Sequence, residues 1–138
     1  MSRVVLIVED DARSMRVTQS LLHAVGYTTV EATDGEQGVE LARARKPDVI
    51  LMDIVMPRMD GYSACRAIKA DRATRDIPVI MFTSPDFELN KELGRGVGAC
   101  GYITKPLALM DDVFDLEKLE SGRLEQQPSN ARPGGILE

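Results

Sequence analysis

Val4-Val5-Leu6-Ile7-Val8-Glu9-Asp10-Asp11 is the stretch that decides the fold. Five apolar residues stand in a row, all but Leu6 β-branched, with no polar residue alternating between them. A strand covered on one face alternates, whereas one covered on both faces, as in a parallel sheet, reads as a continuous apolar run. The run then stops abruptly at three acids. Val49-Ile50-Leu51-Met52 repeats the pattern and stops at Asp53. Val79-Ile80-Met81-Phe82 stops at Thr83-Ser84, and the weaker Gly101-Tyr102-Ile103 leads to Lys105-Pro106. A fifth, more polar segment, Tyr27-Thr28-Thr29-Val30, reads as an edge strand.

Helical patterns fill the gaps. Met15, Thr18, Leu22 and Val25 follow 3–4 spacing up to Gly26. Asp34-Gly35 opens a second helix through Val39 and Ala42, ended by Pro47. Ala64, Cys65 and Ile68 mark a third, Phe87, Leu89 and Leu93 a fourth, and Leu109, Val113, Leu116 and Leu119 a fifth. Strands alternating with helices of this size form βα units, whose crossovers are right-handed. The expected fold is a doubly wound α/β domain with a five-stranded parallel sheet and five helices. Residues 1–122 are expected to form this domain. Residues 123–138, with Gln126-Gln127-Pro128 and Pro133-Gly134-Gly135, read as a flexible tail or linker.

Composition narrows the function. The 138 residues are 43% hydrophobic and 28% charged, and 17 basic against 22 acidic residues give a net charge of −5. An acidic balance argues against a nucleic-acid module, which needs clustered Lys and Arg, and against docking on anionic lipid. No apolar run approaches the roughly 20 residues that span a bilayer. The start has no signal-peptide pattern, and Cys65 and Cys100 make neither a disulfide framework nor a zinc motif. A reduced, cytoplasmic setting is expected.

The chemistry lies where the runs end. In an open α/β sheet, ligands bind beyond the carboxyl ends of the strands. Four strands there deliver carboxylates (Glu9, Asp10, Asp53), a hydroxyl (Thr83) and an ammonium (Lys105). Converging carboxylates repel one another unless a cation lies between them, and a few hard oxygen ligands describe a Mg²⁺ site. A lysine and a hydroxyl alongside would neutralise and hydrogen-bond a phosphoryl group, with one carboxylate as nucleophile.

The ordered set Glu9-Asp10, Asp53, Met56-Pro57 with Asp60-Gly61, Thr83-Ser84 and Lys105-Pro106 resembles the receiver domain of bacterial two-component response regulators over residues 3–120. That resemblance implies the flavodoxin-like strand order 2-1-3-4-5. It implies that Asp53 is the phosphoacceptor, supplied by a sensor histidine kinase or a histidine phosphotransfer protein. Asp10, Asp53 and the Val55 carbonyl would bind Mg²⁺, with Glu9, in place of the commoner aspartate, acting through water. Thr83 would bond the phosphoryl group, Lys105 would pair with the site, and Tyr102 would be the aromatic switch that follows Thr83. Pro57, Gly61 and Pro106 would shape the loops. The implied output surface, for a downstream protein, is the face of the fourth helix, fifth strand and fifth helix.

Other residues have plainer readings. Asp11 N-caps the first helix, and Asp60-Gly61 is a turn and helix start. His23 is structural, and the two cysteines are small core hydrophobes. Gly94, Gly96 and Gly98 weaken the fourth helix and suit it to move. Val55 and Pro85 offer no group to orient a water, which points to slow dephosphorylation. The acids Asp111, Asp112, Asp115, Glu117 and Glu120 on the fifth helix suit a basic partner or serve solubility.

Four other readings compete with the switch. An aspartyl phosphatase of the haloacid-dehalogenase kind needs a second acid two residues past its nucleophile, where Val55 stands. A flavin carrier needs a phosphate loop after the first strand. A degenerate receiver would lack an acid, the threonine or the lysine. A receiver fragment of a longer regulator, its output domain absent, stays open beside a stand-alone chain.

Overall fold

In a computed structural model of the chain, which describes residues 3–84, 91–105 and 136–137, the four apolar runs and the edge strand become five parallel strands. They are β1 (Val4–Val8), β2 (Thr28–Ala32), β3 (Val49–Asp53), β4 (Val79–Thr83) and β5 (Gly101–Thr104). Between them run α1 (Ala12–Ala24), α2 (Gly35–Arg45), α3 (Gly61–Ala70) and α4 (Lys91–Gly96). The sheet order is β2-β1-β3-β4-β5, as expected, and a two-residue strand, β6 (Ile136–Leu137), pairs antiparallel with β5. β6 lies in the segment read as a tail or linker. Phe87, Leu89 and the expected fifth helix lie outside the described residues.

Every residue of β3 and β4 is buried, which explains why those runs do not alternate. Alternate side chains serve two cores. Val5, Ile7, Val49, Leu51, Ile80, Phe82 and Ile103 face α1, packing with Met15 and Leu22. Leu6, Val8, Ile50, Met52, Val79, Met81 and Tyr102 pack on the other face with Ala42, Ala64, Cys65 and Ile68. Each Leu, Ile or Val so buried contributes about 1.5–3 kcal/mol before entropy is counted.

The local signals hold, with small shifts. Asp11, Asp34 and Asp60 N-cap α1, α2 and α3, their carboxylates accepting from the Arg13, Gln37 and Ser63 amides. Val25, read as part of the apolar stripe of α1, is instead its exposed C-cap. Tyr27, read as the start of the edge strand, sits buried just ahead of β2. α2 ends before Pro47 because Lys46 turns left-handed there, with φ of 45°. His23 bonds Thr29 at 2.9 Å, away from the carboxyl edge of the sheet.

Candidate functional site

β1 and β3 are neighbours at the point where strand order reverses, so the acids that follow them meet. One carboxylate oxygen from each of Glu9, Asp10 and Asp53 falls within 4.8 Å of the others. Glu9 and Asp53 are buried, at 1% and 6% exposure, while Asp10 is exposed. Lys105 enters from the end of β5. Its ammonium lies 2.6 Å from Glu9 Oε1 and 3.4 Å from Asp53 Oδ1, with the side chain only 16% exposed. It also stands over the Phe82 ring, 5.6 Å from the centroid.

The backbone holds this lysine in register. Thr83 pairs with Thr104 across β4 and β5, and the Lys105 amide donates to the Thr83 carbonyl at 2.7 Å. Thr83 is buried at the end of β4. Asp53 is opposite Phe82 in the β3–β4 register, which brings the acid beside the strand that carries Thr83.

Glu9 is anchored on three sides. Ser14 Oγ donates to Oε1 at 2.7 Å, the Asp11 amide donates to Oε2 at 3.2 Å, and Lys105 completes the set. Asp53 is less well compensated. Burial first, then the nearby Glu9 charge, pushes its carboxyl up to about 7 from an ordinary 3.8, although Lys105 pulls the other way. Among the described residues, the site thus holds more negative charge than the half-buried Lys105 offsets. Oxygen ligands in this number and spacing suit a small hard cation such as Mg²⁺.

The loop after β3 is shaped by two ties. The Gly61 amide donates to the Ile54 carbonyl at 2.8 Å, and a Cβ on Gly61 would overlap the Asp53 carbonyl oxygen, so only glycine fits. Pro57, exposed, accepts from the Met59 amide at 2.7 Å around Arg58, whose φ is 66°. Arg58 in turn pairs with Asp34 at 3.0 Å, joining this loop to the start of α2. Val55 is 60% exposed beside the cluster. Pro85 and Pro106 lie outside the described residues.

Glu9, Asp10, Asp53, Thr83 and Lys105 therefore meet at one edge, with Val55 alongside. Tyr102 is buried at 4% exposure, packed with residues of α3 and the end of α4. Ser14 and Phe82 were missed as partners of the site. Ser14 has no motif, but Phe82 follows from the register once Asp53 is placed.

A cleft of about 330 Å³ extends from Glu9 and Asp10 along α1 past Arg16 and Gln19, facing Glu31 and Thr33 of the β2 end.

Comparison with known proteins agrees with this geometry. Residues 5–113 match the response regulator receiver domain family. The chain belongs to that family. It is 44% identical over 103 residues to protein PilH of Pseudomonas aeruginosa, covering 75% of this chain and 85% of that one. It is 33% identical over 145 residues to response regulator PleD of Caulobacter vibrioides, covering 99% of this chain but only 31% of that protein. Among solved structures, it superposes with a TM-score of 0.79 and 30% identity on the receiver domain of a sensor histidine kinase from Pseudomonas aeruginosa PAO1. That match covers 88% of this receiver chain and 99% of the other, which was crystallised with a magnesium ion coordinated in its active-site cleft.

Proposed function

We propose that this receiver is a phosphorylation-driven signalling switch in which Asp53 accepts a phosphoryl group. The observation that carries the reading is the excess of buried negative charge around Asp53, with one lysine held against it. Such a charge set has no packing purpose, because isolated carboxylates are costly to bury.

An Asp53 carboxylate oxygen attacks the phosphorus of a phosphohistidine on a sensor kinase or phosphotransfer protein. The P–O bond forms as the P–N bond breaks, and the histidine nitrogen leaves with the electron pair. Asp10, Asp53 and the Val55 carbonyl would hold Mg²⁺, which supplies charge neutralisation for the carboxylates and the incoming phosphoryl oxygens. Glu9 does its part at one remove: with Ser14 and the Asp11 amide it fixes the Lys105 ammonium at 2.6 Å. Lys105 then meets the charge of about −1.5 to −2 that phosphorylation adds. Thr83, buried at the end of β4, would donate its hydroxyl to a phosphoryl oxygen. The cleft along α1 gives the donor domain a footing beside the acids.

The switch acts by protein–protein contact in the cytoplasm and is not an enzyme, and the face around α4 and β5 is the surface offered to a downstream protein. Among the described residues no helix is long and apolar enough to cross a membrane. The match to most of PilH supports a stand-alone regulator, while the match to 31% of PleD supports a receiver segment of a longer one. The chemistry at Asp53 is the same in both settings. Val55, exposed and apolar, offers an attacking water no hydrogen bond, so the phosphoryl group is expected to persist for minutes or longer.

Intact-mass spectrometry after incubation with acetyl phosphate and Mg²⁺ tests this. The wild-type chain should gain one phosphoryl group and Asp53→Asn none. A gain in both chains, or in neither even with a phosphorylated histidine donor, overturns the assignment.

A further inference from the structure

β2 and β5 border the five parallel strands, and their outer edges are guarded differently. β2 carries two threonines and a glutamate, of which Thr28 and Glu31 are exposed. A charge on a border strand discourages another chain from pairing with it. β5 carries no charge, and its Tyr102 and Ile103 are only 4% and 0% exposed. Its outer edge is occupied instead. Tyr102 stands opposite Leu137 and Ile103 opposite Ile136 in an antiparallel pair. The chain thus supplies a strand to the edge that its side chains leave unguarded.

This pairing is not a hairpin. Hairpin connections run to about two to five residues, whereas residues 105–135 separate β5 from β6. No tight turn sets the register, so the two backbone edges set it themselves. The entropy of closing a loop grows only slowly with its length, and a tether holds its end at roughly millimolar effective concentration. β6 is, in these terms, a tethered peptide seated on a strand edge. The sequence suits the role: Pro133-Gly134-Gly135 leads into Ile136-Leu137, the first two adjacent apolar residues after Val113-Phe114. The register also says which groups meet. The Cys100 amide donates to the Val79 carbonyl at 2.9 Å, toward β4. Main-chain groups alternate in direction along a strand, so those of Tyr102 face β4 and those of Ile103 face outward. Ile103 and Ile136 are therefore the pair placed to exchange N–H and C=O bonds, and Tyr102 and Leu137 the closer pair beside them.

We propose that the outer edge of β5 is a docking site for an extended apolar segment, and that its ligand is this chain's own Ile136-Leu137 stretch. Recognition runs through the main-chain groups of Ile103, the mode in which a peptide adds a strand to a sheet edge. Two residues of pairing are a shallow hold, so the edge opens by local release of β6 without unfolding the sheet. An extended apolar segment from another molecule binds there only by taking the place of residues 136–137. None of this depends on the chemistry at Asp53.

The test is NMR on the full chain and on two proline variants that read the register. In wild type, the α-protons of Tyr102 and Leu137 should be in contact, and the Ile103 amide should exchange slowly with solvent. Ile136→Pro removes the N–H that faces Ile103. It should abolish the contact and speed Ile103 exchange by about tenfold, the worth of about one hydrogen bond. Leu137→Pro removes an N–H that faces away and should keep the slow exchange. A synthetic peptide of residues 131–138, added at millimolar concentration to the Ile136→Pro chain, should restore Ile103 protection. Equal Ile103 exchange in wild type and Ile136→Pro overturns the proposal, as does equal loss in the two variants or a peptide that restores nothing. A Tyr102–Leu137 contact that vanishes on dilution, with a dimer at high concentration, also overturns it, because the strand then comes from a second copy. A chain that shows the strand contact but never gains a phosphoryl group refutes the proposed function and leaves the docking site standing.

Discussion

The two ends of the sheet treat their polar groups in opposite ways. At the amino end, several polar groups are matched by neighbouring backbone or side chains. Asp48 accepts from the Val4 amide at 2.7 Å, Thr74 Oγ donates to the Ile68 carbonyl at 2.7 Å, and the Lys69 ammonium donates to the Ile77 carbonyl at 2.6 Å. Asp71 accepts from the Ala73 amide and pairs with Arg43, and these bonds hold its carboxyl below the usual value. At the carboxyl end, Asp53 is pushed the other way, to about 7, by burial and by Glu9. One end uses charge to finish loops; the other concentrates charge that its own residues do not balance. A functional site in this molecule is therefore recognised by what is left over after local pairing, not by the number of charged residues.

The largest way to break this contrast is to remove Lys105, the half-buried cation that faces Glu9 and Asp53 at the carboxyl end. Lys105→Met leaves Glu9 and Asp53 facing each other, and stripping one partner from a buried ion pair costs about 3–5 kcal/mol. Urea unfolding in EDTA should show that loss. Adding Asp53→Asn to Lys105→Met should recover a large part of it. A Lys105→Met chain as stable as wild type would mean that the acids are solvated and the contrast is false.

The next largest effect is in pH. Folding favours the protonated form of Asp53, because its folded value lies above its ordinary one. That contribution is complete below about pH 4 and is lost as pH rises through about 7. Metal-free wild type should therefore lose stability relative to Asp53→Asn between pH 5 and pH 8, by on the order of 2 kcal/mol. Mg²⁺ should restore it most at the alkaline end. Parallel unfolding curves for the two chains across this range would show that Asp53 is not strained by its neighbours.

The smallest effect belongs to the amino end. Thr74→Val deletes a buried hydroxyl and leaves the Ile68 carbonyl without that donor, which costs about 1–2 kcal/mol. The loss should be the same at pH 5 and pH 8 and with or without Mg²⁺. A Mg²⁺-dependent loss in Thr74→Val would show that the two ends are coupled through the sheet.

Much of this was legible in the sequence, and for identifiable reasons. Burial on both faces forces continuous apolar runs, so β1, β3 and β4 announce themselves, and the polar residue that ends each run (Glu9, Asp53 or Thr83) marks the carboxyl edge. Caps such as Asp34 and Asp60 are readable because their partners lie three residues away. Contacts that depend on tertiary approach are not. The Ser14 bond to Glu9, the Arg58–Asp34 tie and the close approach of Gly94 to Tyr102 join residues whose proximity no spacing encodes. Gly94, Gly96 and Gly98 looked alike in sequence, yet a Cβ on the first would overlap Tyr102, one on the second would meet open space, and the third turns a helix end with φ of 98°. Val25 was misread because apolar spacing does not show where a helix stops.

The order in which the strands lie has a consequence for assembly. Positions 9, 53, 83 and 105 come from four separate strands, and adjacent sheet positions are not adjacent in the chain. No short piece of the polypeptide carries two of the meeting groups from different strands, so the acidic cluster has no precursor in local structure. Contacts of such long sequence separation form late and open together when a subdomain unfolds. Competence to take up a phosphoryl group is then a report on the integrity of the whole sheet: a transient opening of β5 alone withdraws Lys105 while leaving the three carboxylates assembled. A damaged or half-folded copy of this chain would be silent, not wrongly active.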